Sequence, residues 1–236
     1  MRDHQARDVA AEVVPARTSG GRERSLRFGM IAGAIMLAMM TMLDAAPAQA
    51  QQYATVPERV TPLEAVGDAR PIPAWRVFCQ RHPLECAVDP REAGHVTLTP
   101  QIWALITRVN REVNAAIAPM TDMEQWGTAD SWDFPEAGYG DCEDYQLLKR
   151  RRLADAGLPR RAMRMNVVLD TRNEGHAVLE VRTDRGVFIL DNVTDAVLPW
   201  DETPYVYIKR EGRDDARWVS LGGVAASPTA VAGTRR

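Results

Sequence analysis

Three residues in the second half of the chain carry the side chains that acyl transfer needs: Cys142, His176 and Asp191. A thiolate attacks, an imidazole moves the proton, and a carboxylate fixes the imidazole's tautomer and direction. Cys142 lies in Gly140-Asp141-Cys142-Glu143-Asp144-Tyr145, where a turn-forming Gly-Asp runs into a segment of helical character. A thiol at that helix start meets unpaired N–H groups and the positive end of the dipole, which favour the thiolate. Asp141, Glu143 and Asp144 crowd the same sulfur with negative charge and oppose it. The conflict is relieved if a cation neutralises the carboxylates or an imidazolium pairs with the thiolate. Each residue also has a plain reading. A buried cysteine packs as a small hydrophobe, a histidine on an apolar strand is commonly a core residue, and Asp191 before Asn192 can begin a turn. Their joint occurrence favours nucleophile, base and orienting carboxylate.

The elements that must position them follow from local pattern. The helix bearing Cys142 is expected to run to about Ala156, with Gly157 at its C-terminal cap and Pro159 beyond. Lys149, Arg150, Arg151 and Arg152 suit its negative end and read as a solvated face. Strands are expected over residues 163–169, 176–183 and 187–191, joined by short polar turns that argue antiparallel pairing. A two-residue turn between the last two places His176 and Asp191 on one face; a three-residue turn opposes them. Tyr205-Val206-Tyr207-Ile208 reads as a further strand, and Trp218 is placed to cover the sheet. Upstream, Thr99-Pro100 opens a helix whose core stripe is Ile102, Leu105, Ile106, Val109, Val113 and Ile117. Asn110, Arg111 and Asn114 then form its solvated face. Residues 122–139 lack a period but carry Trp126, Trp132 and Phe134 and lead directly to Cys142, so part of them should line a cleft.

With 236 residues, 45% hydrophobic and 26% charged, the chain has the composition of a globular protein. Its net charge of −3 gives no reason to expect nucleic acid as a partner. Arg22, Arg24 and Arg27 precede the uncharged run Phe28–Leu43, and Ala48-Gln49-Ala50 follows, so residues 1–50 read as a secretory signal peptide. The alternative is an inner-membrane anchor at residues 28–43, which is short against the roughly 20 residues a span needs. Residues 51–74 read as an extended, proline-rich lead-in, 75–210 as the folded domain, and 211–236 as a tail disordered from about 222. Cys79 and Cys86, seven apart in an exported chain, read first as a local disulfide. Metal binding with His82 is the alternative. The disulfide leaves Cys142 as the odd, free thiol.

Gly140-Asp141-Cys142-Glu143-Asp144-Tyr145, Gly175-His176-Ala177-Val178-Leu179 and Leu190-Asp191-Asn192 together resemble the bacterial transglutaminase-like cysteine peptidases, including the LapG-type periplasmic proteases that clip adhesins. Phe78-Cys79, Glu85-Cys86, Trp126-Gly127 and Asp130-Ser131-Trp132 extend the likeness over about residues 70–210. The resemblance implies an α+β, papain-like or transglutaminase-like core, with N-terminal helices on an antiparallel sheet and the nucleophile at a helix N-terminus. It implies a Cys142-His176-Asp191 triad, with Trp126 or Trp132 as an oxyanion donor. It also implies calcium held by Asp122, Asp141 and Glu143, against the plainer reading of these acids as helix caps. The implied partners are a protein substrate, a surface adhesin in the LapG-type case, and an inner-membrane receptor that regulates access. Other readings are a transglutaminase or amidase using the same thioester chemistry, and a binding module that keeps the fold without catalysis.

Overall fold

The computed structural model describes residues 56–57, 61–214 and 217–223. The expected signal peptide lies outside the described residues, as does residue 224 onward of the expected tail. In chain order the elements are β1 (Gly67–Ala69), α1 (Pro73–Arg81), α2 (Pro83–Cys86), α3 (Pro100–Ala116), β2 (Ala118–Pro119), α4 (Asp122–Gln125), β3 (Tyr139–Gly140) and α5 (Cys142–Asp155). The strands β4 (Met163–Leu169), β5 (Gly175–Thr183), β6 (Gly186–Leu190), β7 (Leu198–Pro199), β8 (Val206–Glu211) and β9 (Trp218–Ser220) complete them. Seven strands form one antiparallel sheet in the order β1-β9-β8-β4-β5-β6-β7. The arrangement is the expected α+β one, with helices packed on an antiparallel sheet.

The side-chain period of two divides the sheet into two faces. Met163, Met165, Val167, Ala177, Leu179, Val181, Phe188 and Leu190 share a core with Ile106, Val109 and Val113 of α3 and Leu147 and Leu153 of α5. Val168, Val178, Val187, Ile189 and Tyr207 form a second core with Leu63. Thr99 caps α3, its Oγ1 accepting from Ile102 N at 3.2 Å, and Pro100 occupies the first turn, where its missing N–H costs nothing. At the other end of α5, Gly157 takes φ +94°, its N–H bonds Ala154 O and Leu158 N bonds Leu153 O. That is a Schellman stop, and glycine is the residue that tolerates it.

The structure corrects the expected surface assignments. Asn110 and Asn114 are buried, as are Lys149 and Arg150. Arg150 pairs with Glu211 at 2.7 Å, and Glu211 also accepts from Trp75 Nε1 at 2.6 Å and Met165 N at 2.9 Å. One carboxylate of β8 thereby ties α1, α5 and β4 together. A charge inside is tolerable only when paired and hydrogen-bonded in this way. The folded part also outruns the expected limits of 75–210. β9 pairs with both β8 and β1, and Trp218 meets Trp75 edge-on at 5.6 Å. Leu63 and Ile72, assigned to the lead-in, are buried. Cys79 and Cys86 form the expected disulfide, which joins α1 to α2.

Candidate active site

The β5–β6 hairpin decides where the imidazole and the carboxylate meet. Thr183 pairs with Gly186 around a two-residue turn, Asp184-Arg185, and the ladder runs back to Leu179 opposite Leu190. In that register the next opposed positions are Val178 and Asp191, so Asp191 shares a face with Val178 and hence with His176. His176 Nε2 and Asp191 Oδ1 are 2.9 Å apart, both side chains buried. Two further donors serve the carboxylate: Val193 N reaches Oδ1 at 3.1 Å, and the Tyr205 hydroxyl donates to Oδ2. Burial alone would raise the Asp191 pKa. The donors, His176 foremost, hold it below the usual carboxylate range instead. Tyr205 was expected only as a strand residue. It precedes β8, packs its ring 5.5 Å from the His176 ring, and is pushed well up in pKa by burial and then by the Asp191 charge. A tyrosine fourteen residues past the aspartate carries no local signal of that role.

Cys142 is the first residue of α5 and the free cysteine among the described residues. Beyond the last β5–β6 pair, Ala177 N points at Cys142 Sγ at 3.4 Å. The thiol therefore lies beside the backbone that follows His176, and the helix start, β5 and the end of β6 converge on one place. Nε2 is the ring nitrogen turned to Asp191, and Nδ1 is the atom that would exchange a proton with a thiol. A recess of about 240 Å³ reaches His176 between Thr171, Arg172, Val193, Pro204 and Tyr205. Of the expected oxyanion donors, Trp132 does not fit: it is buried and its indole Nε1 donates to Asp130 Oδ1 at 3.1 Å. Trp126 is 57% exposed at the end of α4. His82 sits apart, facing Asp133 at 3.4 Å.

On the thiol's other side lies a cluster of acids. Asp141 occupies the N-cap position of α5, yet its side chain makes no capping bond; Oδ2 accepts from Asp122 N at 3.2 Å. Asp122 Oδ2 takes the Ser131 N–H, and Asp144 Oδ1 takes Asp133 N at 2.9 Å. Gly140 makes the last approach possible, since a Cβ there would lie 2.5 Å from Asp144 Oδ2. Glu143 is fully buried beside the sulfur, its Oε2 3.1 Å from Cys142 Sγ. Asp122 Oδ1, Asp141 Oδ1 and Glu143 Oε1 are buried without a hydrogen-bond partner. Oxygens of Asp122, Asp130 and Glu143 fall within 4.8 Å of one another, and so do those of Asp122, Asp141 and Asp144. The expected trio thus splits over two groups that share Asp122, with Asp130 and Asp144 added. Hard carboxylate oxygens at this spacing suit calcium, and the orphaned atoms are those a cation would satisfy. Without one, burial and mutual repulsion drive Asp141 up to about 7 and Glu143 and Asp144 well above the carboxylate range. Burial, then Glu143 and Asp141, push the Cys142 thiol up as well.

A thiol at a helix start, beside the backbone of a strand whose imidazole is bonded to a carboxylate, fits a thiol hydrolase of papain-like or transglutaminase-like architecture. The sequence model of the bacterial transglutaminase-like cysteine proteinases (BTLCP) matches residues 66–226, and the chain belongs to that family. It is a transglutaminase-like cysteine protease. Among solved structures it is similar to calcium-bound Legionella pneumophila LapG, at 23% identity and TM-score 0.44, over 53% of this chain and 73% of that one. The EGTA-treated form of LapG matches at 25% identity and TM-score 0.42, over 47% of this chain and 63% of that one. No curated protein sequence matches.

Proposed function

We propose that this cysteine protease is exported to the periplasm, works through a Cys142-His176-Asp191 triad, binds calcium beside the thiol, and cleaves a surface adhesin. The observation that carries the triad is the convergence at β5: His176 is bonded to Asp191 at 2.9 Å while Ala177, its neighbour, gives its N–H to Cys142 Sγ. Cys142 Sγ attacks the scissile carbonyl carbon as its proton passes to His176 Nδ1. The oxyanion forms next to the first turn of α5, where the Cys142 N–H can donate. Collapse breaks the C–N bond, and His176 returns its proton to the leaving amine. Water then attacks the thioester, again losing a proton to His176, and frees the acid and the thiol. Asp191 keeps the proton on Nε2 throughout and steadies the imidazolium.

Asp122, Asp130, Asp141, Glu143 and Asp144 are the residues that would hold calcium. Bound there, the ion would supply positive charge where the acids otherwise oppose the thiolate. Export rests on the N-terminal pattern of basic residues, apolar run and Ala48-Gln49-Ala50. The adhesin substrate rests on the family resemblance, and a receptor regulator at the inner membrane belongs to the same reading. The triad is tested by cleavage of a fluorogenic peptide that the wild-type enzyme selects from a mixed-sequence library. Cys142→Ala and His176→Ala should each abolish turnover while circular dichroism and melting stay near wild type. Undiminished cleavage by Cys142→Ala would end the reading.

A further inference from the structure

We propose that Asn114, supported by Asn110, is a positioning residue that sets the catalytic geometry through Asp191; the inference rests on the triad reading above. The two asparagines stand four apart on α3 and so share one side of that helix. Both are buried where the apolar pattern put a solvated face, at 0% and 6% exposure. A buried amide is costly unless bonded, and both direct their donors at one short segment. Asn114 Nδ2 lies 3.0 Å from Asp191 O, 3.0 Å from Thr194 O and 2.9 Å from Asp195 Oδ1. Asn110 Nδ2 lies 3.2 Å from Thr194 O and 3.1 Å from Asp195 O.

That segment needs holding. β6 ends at Leu190 and β7 begins at Leu198, so residues 191–197 belong to no strand. The side chain that aligns His176 is carried on its first residue. Of the two asparagines, Asn114 reaches the Asp191 backbone, and the Asn110 bonds begin three residues later. α3 also grips the nucleophile's side. Tyr145, three residues after Cys142, donates to Ile117 O at the end of α3 at 2.6 Å, and Val113 packs in the core shared with Leu147. Gln146 of α5 reaches Asn192 Oδ1 at 3.5 Å from the other direction. One helix thus fixes both the start of α5 and the carboxylate's loop, and through them the separation of thiol and imidazole. Reacting groups misplaced by about 1 Å can lose on the order of 10²-fold in rate.

The experiment measures kcat per active thiol, titrated with a peptidyl alkylating agent, on the same fluorogenic peptide. Asn114→Ala should lower kcat roughly 10- to 100-fold with KM little changed. Asn110→Ala should lower it less, and exposed Arg111→Ala not at all. The downfield imidazole N–H proton of His176, which reports its bond to Asp191, should shift or broaden in Asn114→Ala by proton NMR. In an Asp191→Ala background, Asn114→Ala should have no further effect on kcat, because the backbone carbonyl that it holds no longer carries the carboxylate it positions. Asn114→Ser, which keeps a shorter donor, covers the case of a misfolded alanine variant and should fall between. Wild-type kcat in Asn114→Ala or Asn114→Ser overturns the proposal, and so does an unmoved imidazole proton with lowered kcat. Failure of the triad itself reads differently: there Cys142→Ala would remain active, whereas here it is inert and only Asn114 proves idle.

Discussion

The two sides of Cys142 are built on opposite principles. Toward His176 every charged atom of Asp191 is answered: Oδ1 by the imidazole and Val193 N, Oδ2 by the Tyr205 hydroxyl. Toward α4 the carboxylates answer one another, and Asp122, Asp141 and Glu143 each keep a buried oxygen with no hydrogen-bond partner. Burial is similar on both sides. The outcome for pKa is opposite, since donors hold Asp191 low while repulsion lifts Asp141, Glu143 and Asp144. The first side is complete as polypeptide. The second has the donor set of a cation site, and its electrostatics make sense once positive charge is supplied.

Breaking the satisfied side should have the largest effect. Asp191→Ala leaves the nucleophile and base in place but frees the imidazole to choose its tautomer and direction. Loss of the corresponding carboxylate in triad enzymes costs about 10⁴-fold, so kcat should fall by about that order while a residual rate survives. A rate within a few-fold of wild type would show that the carboxylate orients nothing.

Calcium removal tests the unsatisfied side. Excess chelator should lower activity and melting temperature together, and calcium should restore both. A ligand bound only by the folded state at about 100 times its Kd adds about 2.7 kcal/mol. Magnesium should restore little, because its octahedral demand suits five carboxylates spread over α4, the start of α5 and the loop between them poorly. Asp122→Asn, which strikes the residue common to both groups, should make melting insensitive to chelator. Activity and melting unchanged in excess chelator would mean that the acids share protons among themselves and need no ion.

The satisfied side was also the more legible in sequence. Strand 163–169 matches β4, and of the two turn lengths that the pattern left open after Thr183, the two-residue Asp184-Arg185 turn is the one that puts His176 and Asp191 on one face. Those features are written in nearest-neighbour pattern: alternation, a turn, a glycine stop. The polar interior is not. Nothing near Arg150 signals Glu211, 61 residues on, and nothing near Asn114 signals Asp191, 77 residues on. Apolar periodicity can only assign such residues to the outside, because it sees what they lack and not the partner that the fold brings. The places of Asp130 and Asp144 in the acid cluster and of Tyr205 beside Asp191 went unread for the same reason. Each gains its meaning from a contact across the site.

The smallest predicted effect distinguishes charge from packing on the satisfied side. Asp191 has a folded pKa below its ordinary value, so it contributes stability that is fully present above the unfolded pKa of about 3.9. That contribution is lost as pH falls through the folded value. Tyr205→Phe keeps the ring against His176 but removes one of the carboxylate's donors. The folded pKa of Asp191 then rises, its contribution shrinks, and the loss on acidification begins at a higher pH. Denaturant unfolding at neutral pH should show the variant less stable by about 1.5–3 kcal/mol, the range for a hydrogen bond to a charged group. Most of that difference should close as pH falls from neutrality to well below 4, because a protonated Asp191 no longer distinguishes the two proteins by charge. A difference that stays constant into acid would assign the Tyr205 hydroxyl to packing, and leave His176 and Val193 N as the donors that keep Asp191 ionised.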